Sequence, residues 1–241
     1  ADFMAAVGRL LAGRNAKIAY VTGNGERALR GVSPLDWGRL GAALVERGML
    51  LFPLDLVLNP VVPDDLDLLI LAPGPNPPVP GAPDAIAAWV DAGGRLLWAA
   101  DPMLDPGWEP LAKALAITQL PGVIVDARAQ DRGEADPRIL VVALPGESQA
   151  PPGLELPVGA DEAQGLKLLR AAAWTPRDEL ANSWQRWRLL DSSATTWNES
   201  GELSGLLAPD APDEQRGPLA IGFALERPVQ ADDFQRAVVL G

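Results

Sequence analysis

The chain has 241 residues, 48% hydrophobic and 22% charged, which is the composition of a folded globular protein. It has no Cys and no His, which excludes thiol nucleophiles, Ser–His–Asp triads, Cys/His zinc sites and haem held by His. Its 20 basic and 32 acidic side chains leave a net charge of −12, which argues against nucleic acid and anionic membrane surfaces as partners.

Asp2 is a cap for a first helix, in which Phe3, Met4, Val7, Leu10 and Leu11 recur at helical spacing before Gly13. Residues 17–22 (KIAYVT) read as a buried strand, followed by the turn Gly23-Asn24-Gly25-Glu26. Ser33-Pro34-Leu35-Asp36 reads as a helix start, with Ser33 as cap and Asp36 reaching back. Trp37, Leu40, Ala43 and Leu44 form the inner stripe of that helix, and Gly48 closes it. Residues 49–54 are a second strand whose Pro53 places its end at a sheet margin. A third strand over 66–72, a Pro/Gly loop over 73–83, a helix over 84–91, a fourth strand over 95–100 and a short helix over 108–115 follow.

Past residue 120 the helical periodicity fades. Residues 123–125, 139–144, 154–158, 165–169, 187–192 and 219–225 read as extended, and the stretch 145–153 is the best linker candidate. The expectation is one α/β domain over 1–241, with a core at about 15–125 and a β-rich extension at about 126–241. Apolar strands alternating with helices predict a flavodoxin-like or Rossmann-like parallel sheet with helices on both faces. No apolar run reaches the roughly 18 residues of a spanning helix, and no charged-then-apolar leader opens the chain. Because it starts at Ala1, the chain reads as a piece of a longer protein.

In such a sheet, ligands sit beyond the carboxyl ends of the strands. That singles out Thr22, Gly23, Asn24, Gly25 and Glu26, the loop 72–76 with Gly74, and Asp101 with Asp105. Gly23, Gly25 and Ala28 fit the G-x-G-x-x-A dinucleotide pattern. Gly31 and Ser33-Pro34, however, push the helix start downstream, and no acidic residue stands about 20 positions on, Asp55 being too far. A turn that needs glycine geometry explains the same residues. Glu26 and Asn24 are either ligand-orienting groups or satisfiers of loop donors. Asp64, Asp65 and Asp67 precede a strand without the spacing of a calcium loop and read as a solvated turn. Four of the eight Trp residues fall between 174 and 197, where Trp184, Arg186, Trp187 and Trp197 interleave aromatic and basic groups. They suit a protein interface, a sugar or base stack, or simple packing of the sheet.

Several segments together resemble a family. Thr22-Gly23-Asn24-Gly25-Glu26 is similar to the T-G-H-G-E turn of the auxiliary domain of ABC-type transport systems, the gliding-motility GldG-like family. The 68–73 strand, Ala92-Gly93-Gly94, Asp101-Pro102, the Trp187 to Glu199 segment and the Gly217 to Glu226 strand agree in order and spacing. The likeness spans roughly residues 15 to 228, and it departs at Asn24, Asp191, Ala194 and Thr196. It implies a scaffold like that of class I glutamine amidotransferases, with a related domain in intraflagellar transport proteins. It does not imply amidotransferase chemistry, which needs a Cys and a His.

The resemblance implies a non-catalytic periplasmic domain, tied to the membrane through flanking segments, that works beside an ABC permease and ATPase. Its expected partners are those subunits or an exported substrate, with a second copy of the chain as a further candidate. No cofactor and no metal are expected. Two other readings stay open. One is a nucleotide or sugar binder, or a carboxylate-based enzyme, that uses the Gly23 to Glu26 turn. The other is a structural spacer without a site.

Overall fold

The computed structural model describes residues 15–102, 106–142, 166–178, 183–204, 207–230 and 233–241. The expectations for 2–13, 145–153, 154–158 and Asp105 lie outside the described residues. The first half contains β1 (Lys17–Thr22), α1 (Gly38–Glu46), β2 (Leu50–Asp55), β3 (Leu68–Leu71), α2 (Ala82–Asp91), β4 (Leu96–Ala99) and α3 (Glu109–Ala114). Strands follow: β5 (Ile117–Gln119), β6 (Val123–Asp126), β7 (Ile139–Val142), β8 (Leu166–Leu169) and β9 (Trp174–Pro176). The chain ends with β10 (Gln185–Asp191), β11 (Thr196–Glu199), β12 (Ala220–Gln230) and β13 (Asp233–Leu240).

Nine strands form one sheet in the order β2-β1-β3-β4-β13-β12-β9-β5, with β10 also paired to β12. The strands β2, β1, β3, β4 and β13 run parallel. The pairs β13–β12, β12–β9, β9–β5 and β12–β10 are antiparallel. The parallel strands are apolar on both sides. Ala19, Val21, Leu69, Leu71 and Trp98 pack into one layer, while Ile18, Tyr20, Leu68, Ile70 and Leu97 pack into the other. That two-sided burial is why their sequences are continuous apolar runs instead of alternating ones.

The expected parallel sheet with helices on both faces does not hold. The chain is mostly β, the large sheet is mixed, and the described residues contain three short α-helices. One face carries α2 and α3. The opposite face has only the short α1, near β1 and β2, and is otherwise filled by Ile124, Leu140, Val142 and Leu168 from strands β6, β7 and β8. The reason is connection length. A parallel neighbour needs a crossover of a dozen or more residues, but β12 ends at Gln230 and β13 begins at Asp233. Two strands that close together in sequence can only pair antiparallel, and Gln230 does face Asp233.

The helix expected to begin at Ser33-Pro34 is α1, and it starts later, at Gly38. The Asp36 carboxylate accepts hydrogen bonds from Ser33 N at 3.0 Å and from Ala28 N at 3.1 Å. It reaches back as expected, but it closes a loop ahead of the helix.

Candidate functional site

The strand order reverses at β1, which has β2 on one side and β3 on the other. The carboxyl ends of β1, β3 and β4 bring together the residues that the sequence singled out, and their polar groups bind one another. Gly23 and Gly25 adopt φ of 109° and 89°, the left-handed region that glycine tolerates. Their turn lets Asn24 N donate to Glu26 Oε2 at 2.7 Å. The Asn24 side chain donates from Nδ2 to Pro77 O at 2.7 Å, and the Asn24 backbone carbonyl accepts from Asn76 Nδ2 at 2.8 Å. Arg27 N donates to Ala72 O at 2.9 Å. Gly74 packs against the Gly25 carbonyl so closely that a Cβ would overlap it. Arg27 pairs with Asp101 at 3.4 Å, and Gln119 Nε2 donates to Asp101 O at 3.0 Å. Thr22 is half-buried and lies opposite Asp55. The carboxyl end of the sheet is thus a seam knitted from its own chain. Asp55, set aside by sequence spacing, lies beside Gly23, because β1 and β2 pair in register. Its Oδ1 accepts from Val57 N at 2.9 Å and so serves the next turn.

The Trp-rich segment lies mostly inside. Trp184 is buried, donates from Nε1 to Ala114 O at 2.9 Å and has the Arg227 guanidinium 4.5 Å from its ring centroid. Burial holds the Arg227 pKa below its ordinary value, and the nearby Asp91 opposes that shift. Trp197 is buried, and its Nε1 donates to Glu199 Oε2 at 3.0 Å. Trp187 is half-buried. Arg186 is likewise half-buried, bound to Ala116 O and paired with Asp178 at 2.6 Å. Of the four residues, only Trp187 and Arg186 reach the surface, and only in part.

The hydroxyl-rich run between Asp191 and Trp197 is a clamp. Ser192 Oγ lies 2.6 Å from Thr196 Oγ1 and accepts from Leu219 N at 2.8 Å. Gly217 N donates to Thr196 O at 2.7 Å. Thr195 Oγ1 donates at 2.6 Å to the buried Asp126 carboxylate, which also pairs with Arg132.

Two acidic groups behave as turn chemistry. Asp67 accepts from Lys17 N at 2.7 Å, and Asp65 pairs with the Lys17 ammonium at 2.5 Å. Oxygens of Glu199, Asp210 and Glu214 lie within 4.8 Å of one another. The Glu214 carboxylate accepts from the backbone N–H groups of Ser200, Asp210 and Ala211. Burial pushes its pKa up, but these bonds, with a hydrogen bond to Glu199, outweigh burial and bring it down to about 2.

Sequence reasoning missed a cavity of about 530 Å³ next to the seam. Trp98, Pro102, Trp108, Thr118, Gln119 and Trp174 are among its lining residues. Trp98 and Trp108 flank the dipeptides Asp101-Pro102 and Asp105-Pro106, a local signal in the sequence. Trp174 joins them only through the pairing of β9 with β12 and β5.

The fold and its seam define a mostly-β domain on a mixed sheet, whose carboxyl-end polar groups are used within the chain. It is similar to a solved structure titled "mmIFT52 N-terminal domain", with a TM-score of 0.55 at 12% sequence identity. The likeness covers 94% of this chain and 86% of that one, and at this identity it speaks to the fold alone. No protein-family model matches the chain, and no curated protein matches it.

Proposed function

We propose that the chain is a non-catalytic, extracytoplasmic accessory domain of an ABC-type transport or gliding system, which binds a partner subunit. The observation that carries this reading is the distribution of exposed apolar side chains. Among the described residues twelve large hydrophobic side chains are exposed, and eight of them fall between Val32 and Val61. They include Leu50 and Phe52 on β2, which ends the sheet, Leu58 just after it, and Val32 and Leu35 in the loop that precedes α1. Monomers seldom concentrate apolar groups beside an open strand edge, and such patches mark binding surfaces.

Two further observations support it. The family-like turn and the hydroxyl-rich segment both hold the fold together, so the resemblance rests on scaffold residues. Glu26 has its carboxylate bound to Asn24 N, and the reading assigns it no chemistry.

The test uses the purified chain as bait for solubilised membranes of its source organism. Leu58→Asp and Val32→Asp serve as controls, because both positions are far exposed and tolerate charge. Recovery of an ABC permease or ATPase by the unmodified chain, lost in both variants, is the expected result. Equal recovery by all three forms removes the β2-edge surface from the reading. Recovery of no transport subunit removes the reading itself.

A further inference from the structure

A second cavity, of about 380 Å³, lies towards the far end of the sheet from β2, where β9 and β10 both pair with β12. Pro176 of β9, Arg186 and Arg188 of β10, and Gln215 and Pro218 from the segment before β12 are among its lining residues. Its volume falls inside the range of roughly 300–1,000 Å³ typical of small-molecule sites. Pro176, Arg188, Gln215 and Pro218 are exposed, so a ligand reaches this part of the lining from solvent.

Charge sets the class of occupant. The described lining holds two guanidinium groups and no Asp or Glu, in a chain whose net charge is −12. Arg186 and Arg188 stand two apart on β10 and so project from the same face of the strand. A backbone acceptor fixes each of them. Arg186 Nη1 donates to Ala116 O at 3.1 Å, and Arg188 Nη2 donates to Pro218 O at 3.2 Å. Those bonds orient the guanidinium groups without neutralising them. Asp178 and Asp191 pair with Arg186 and Arg188 at 2.6 Å, but their side chains are 86% and 44% exposed, where water screens such pairs. Arg188 Nη1 and the Gln215 side-chain amide make no hydrogen bond among the described residues, which leaves their N–H groups to a ligand.

The rest of the lining narrows the class. A cation meets two guanidinium groups and is repelled. A hydrocarbon leaves the free N–H donors unanswered. A phosphate dianion brings a second charge to a place where Asp178 and Asp191 already answer part of the positive charge. A carboxylate carries one charge, and its planar pair of oxygens matches the N–H groups of a guanidinium. Pro176, Pro218 and the aliphatic stem of Arg188 supply apolar surface beside it.

We propose that this cavity binds a monocarboxylate with a small apolar body, its carboxylate held by Arg188 and Gln215 beside Arg186 and its body against Pro176 and Pro218. A free organic acid and the carboxyl end of a peptide share this chemistry. The assignment is independent of the partner-binding reading, which rests on β2 at the opposite edge of the sheet.

The test titrates the full chain with benzoate, 3-phenylpropionate and N-acetylleucine, followed by saturation-transfer NMR and calorimetry. Benzamide, the uncharged analogue of benzoate, and inorganic phosphate are the comparison probes. The expected result is saturable binding of at least one carboxylate, about tenfold tighter than benzamide and weakened by added salt. Tightest binding of N-acetylleucine assigns the site to a peptide end, and tightest binding of either aromatic acid assigns it to a free acid. Arg188→Gln removes a charge and should weaken carboxylate binding about tenfold. Gln215→Glu keeps the size of an exposed side chain and sets a like charge against the ligand. It should weaken binding by a similar factor, and it decides the matter if Arg188→Gln fails to fold. The proposal is overturned if no carboxylate binds saturably, if benzamide binds as tightly as the best carboxylate, or if phosphate binds more tightly than every carboxylate. Affinity unchanged in Gln215→Glu and in any folded Arg188→Gln also overturns it.

Discussion

Gly74 sits so tightly against the carbonyl oxygen of Gly25 that no side chain fits between them. This contact closes the loop after β3 onto the turn after β1. Both partners are backbone, so neither can swing aside. Gly74→Ala should destabilise the chain by about 1–3 kcal/mol, the usual cost of overpacking. Urea denaturation measures this directly. An unchanged midpoint would mean that the seam stands open in solution.

Trp184 should behave as a core residue. Trp184→Ala removes a buried indole, its bond to Ala114 O and its contact with Arg227, and should cost about 3–5 kcal/mol. Arg227→Met should cost less, because it forfeits the ring contact and the bonds to Val90 O and Asp91 O while keeping apolar bulk. Chemical denaturation of both variants checks the order. A Trp184→Ala variant of full stability would contradict its burial.

Asp126 is a buried carboxylate with two side-chain partners, Arg132 and Thr195. Arg132→Met leaves its charge buried beside a hydroxyl and should cost roughly 3 kcal/mol, the low end for breaking a buried pair. Asp126→Asn removes the charge as well and should cost less. Thermal melts at neutral pH distinguish the two, and equal losses would show that the Arg132 charge contributes nothing.

The Glu214 carboxylate titrates at about 2 in the folded chain, against an ordinary value of 4.5. A lowered carboxylate pKa means that the unfolded chain binds the proton more readily. Its stabilising contribution is therefore complete above pH 4.5 and is lost as the pH falls towards about 2. Glu214→Gln should flatten the decline in melting temperature across that window. An identical acid profile in both forms would contradict the backbone anchoring by Ser200, Asp210 and Ala211.

Several elements were legible in the sequence because they rest on local chemistry. The apolar runs of β1, β3 and β4 and the glycine-dependent turn at 23–25 stand where periodicity and turn rules put them, and α2 ends where expected but starts at Ala82 and not at Asp84. The location of the seam was legible too, since strand ends follow from strand positions. β13 was not read. Its apolar run is confined to Ala237 through Leu240, with Phe234 standing alone before it, and its place beside β4 depends on pairing Ala237 with Leu96 far back in the chain. The helical layer expected on both faces failed for a related reason, because short strands from the second half fill one face.

Sequence alone determined the absence of thiol and imidazole chemistry, the acidic surface and the local elements of the first half, because composition and short-range periodicity carry that information. Tertiary structure decided the rest. It turned Asn24, Glu26 and Asn76 into mutual partners, took Trp184 and Trp197 into the interior, and gathered Trp98, Trp108 and Trp174 around one cavity. Each of those outcomes depends on contacts between residues distant in sequence. Such contacts form only when whole strands pair and bury their faces, and no local pattern encodes which strand lies beside which.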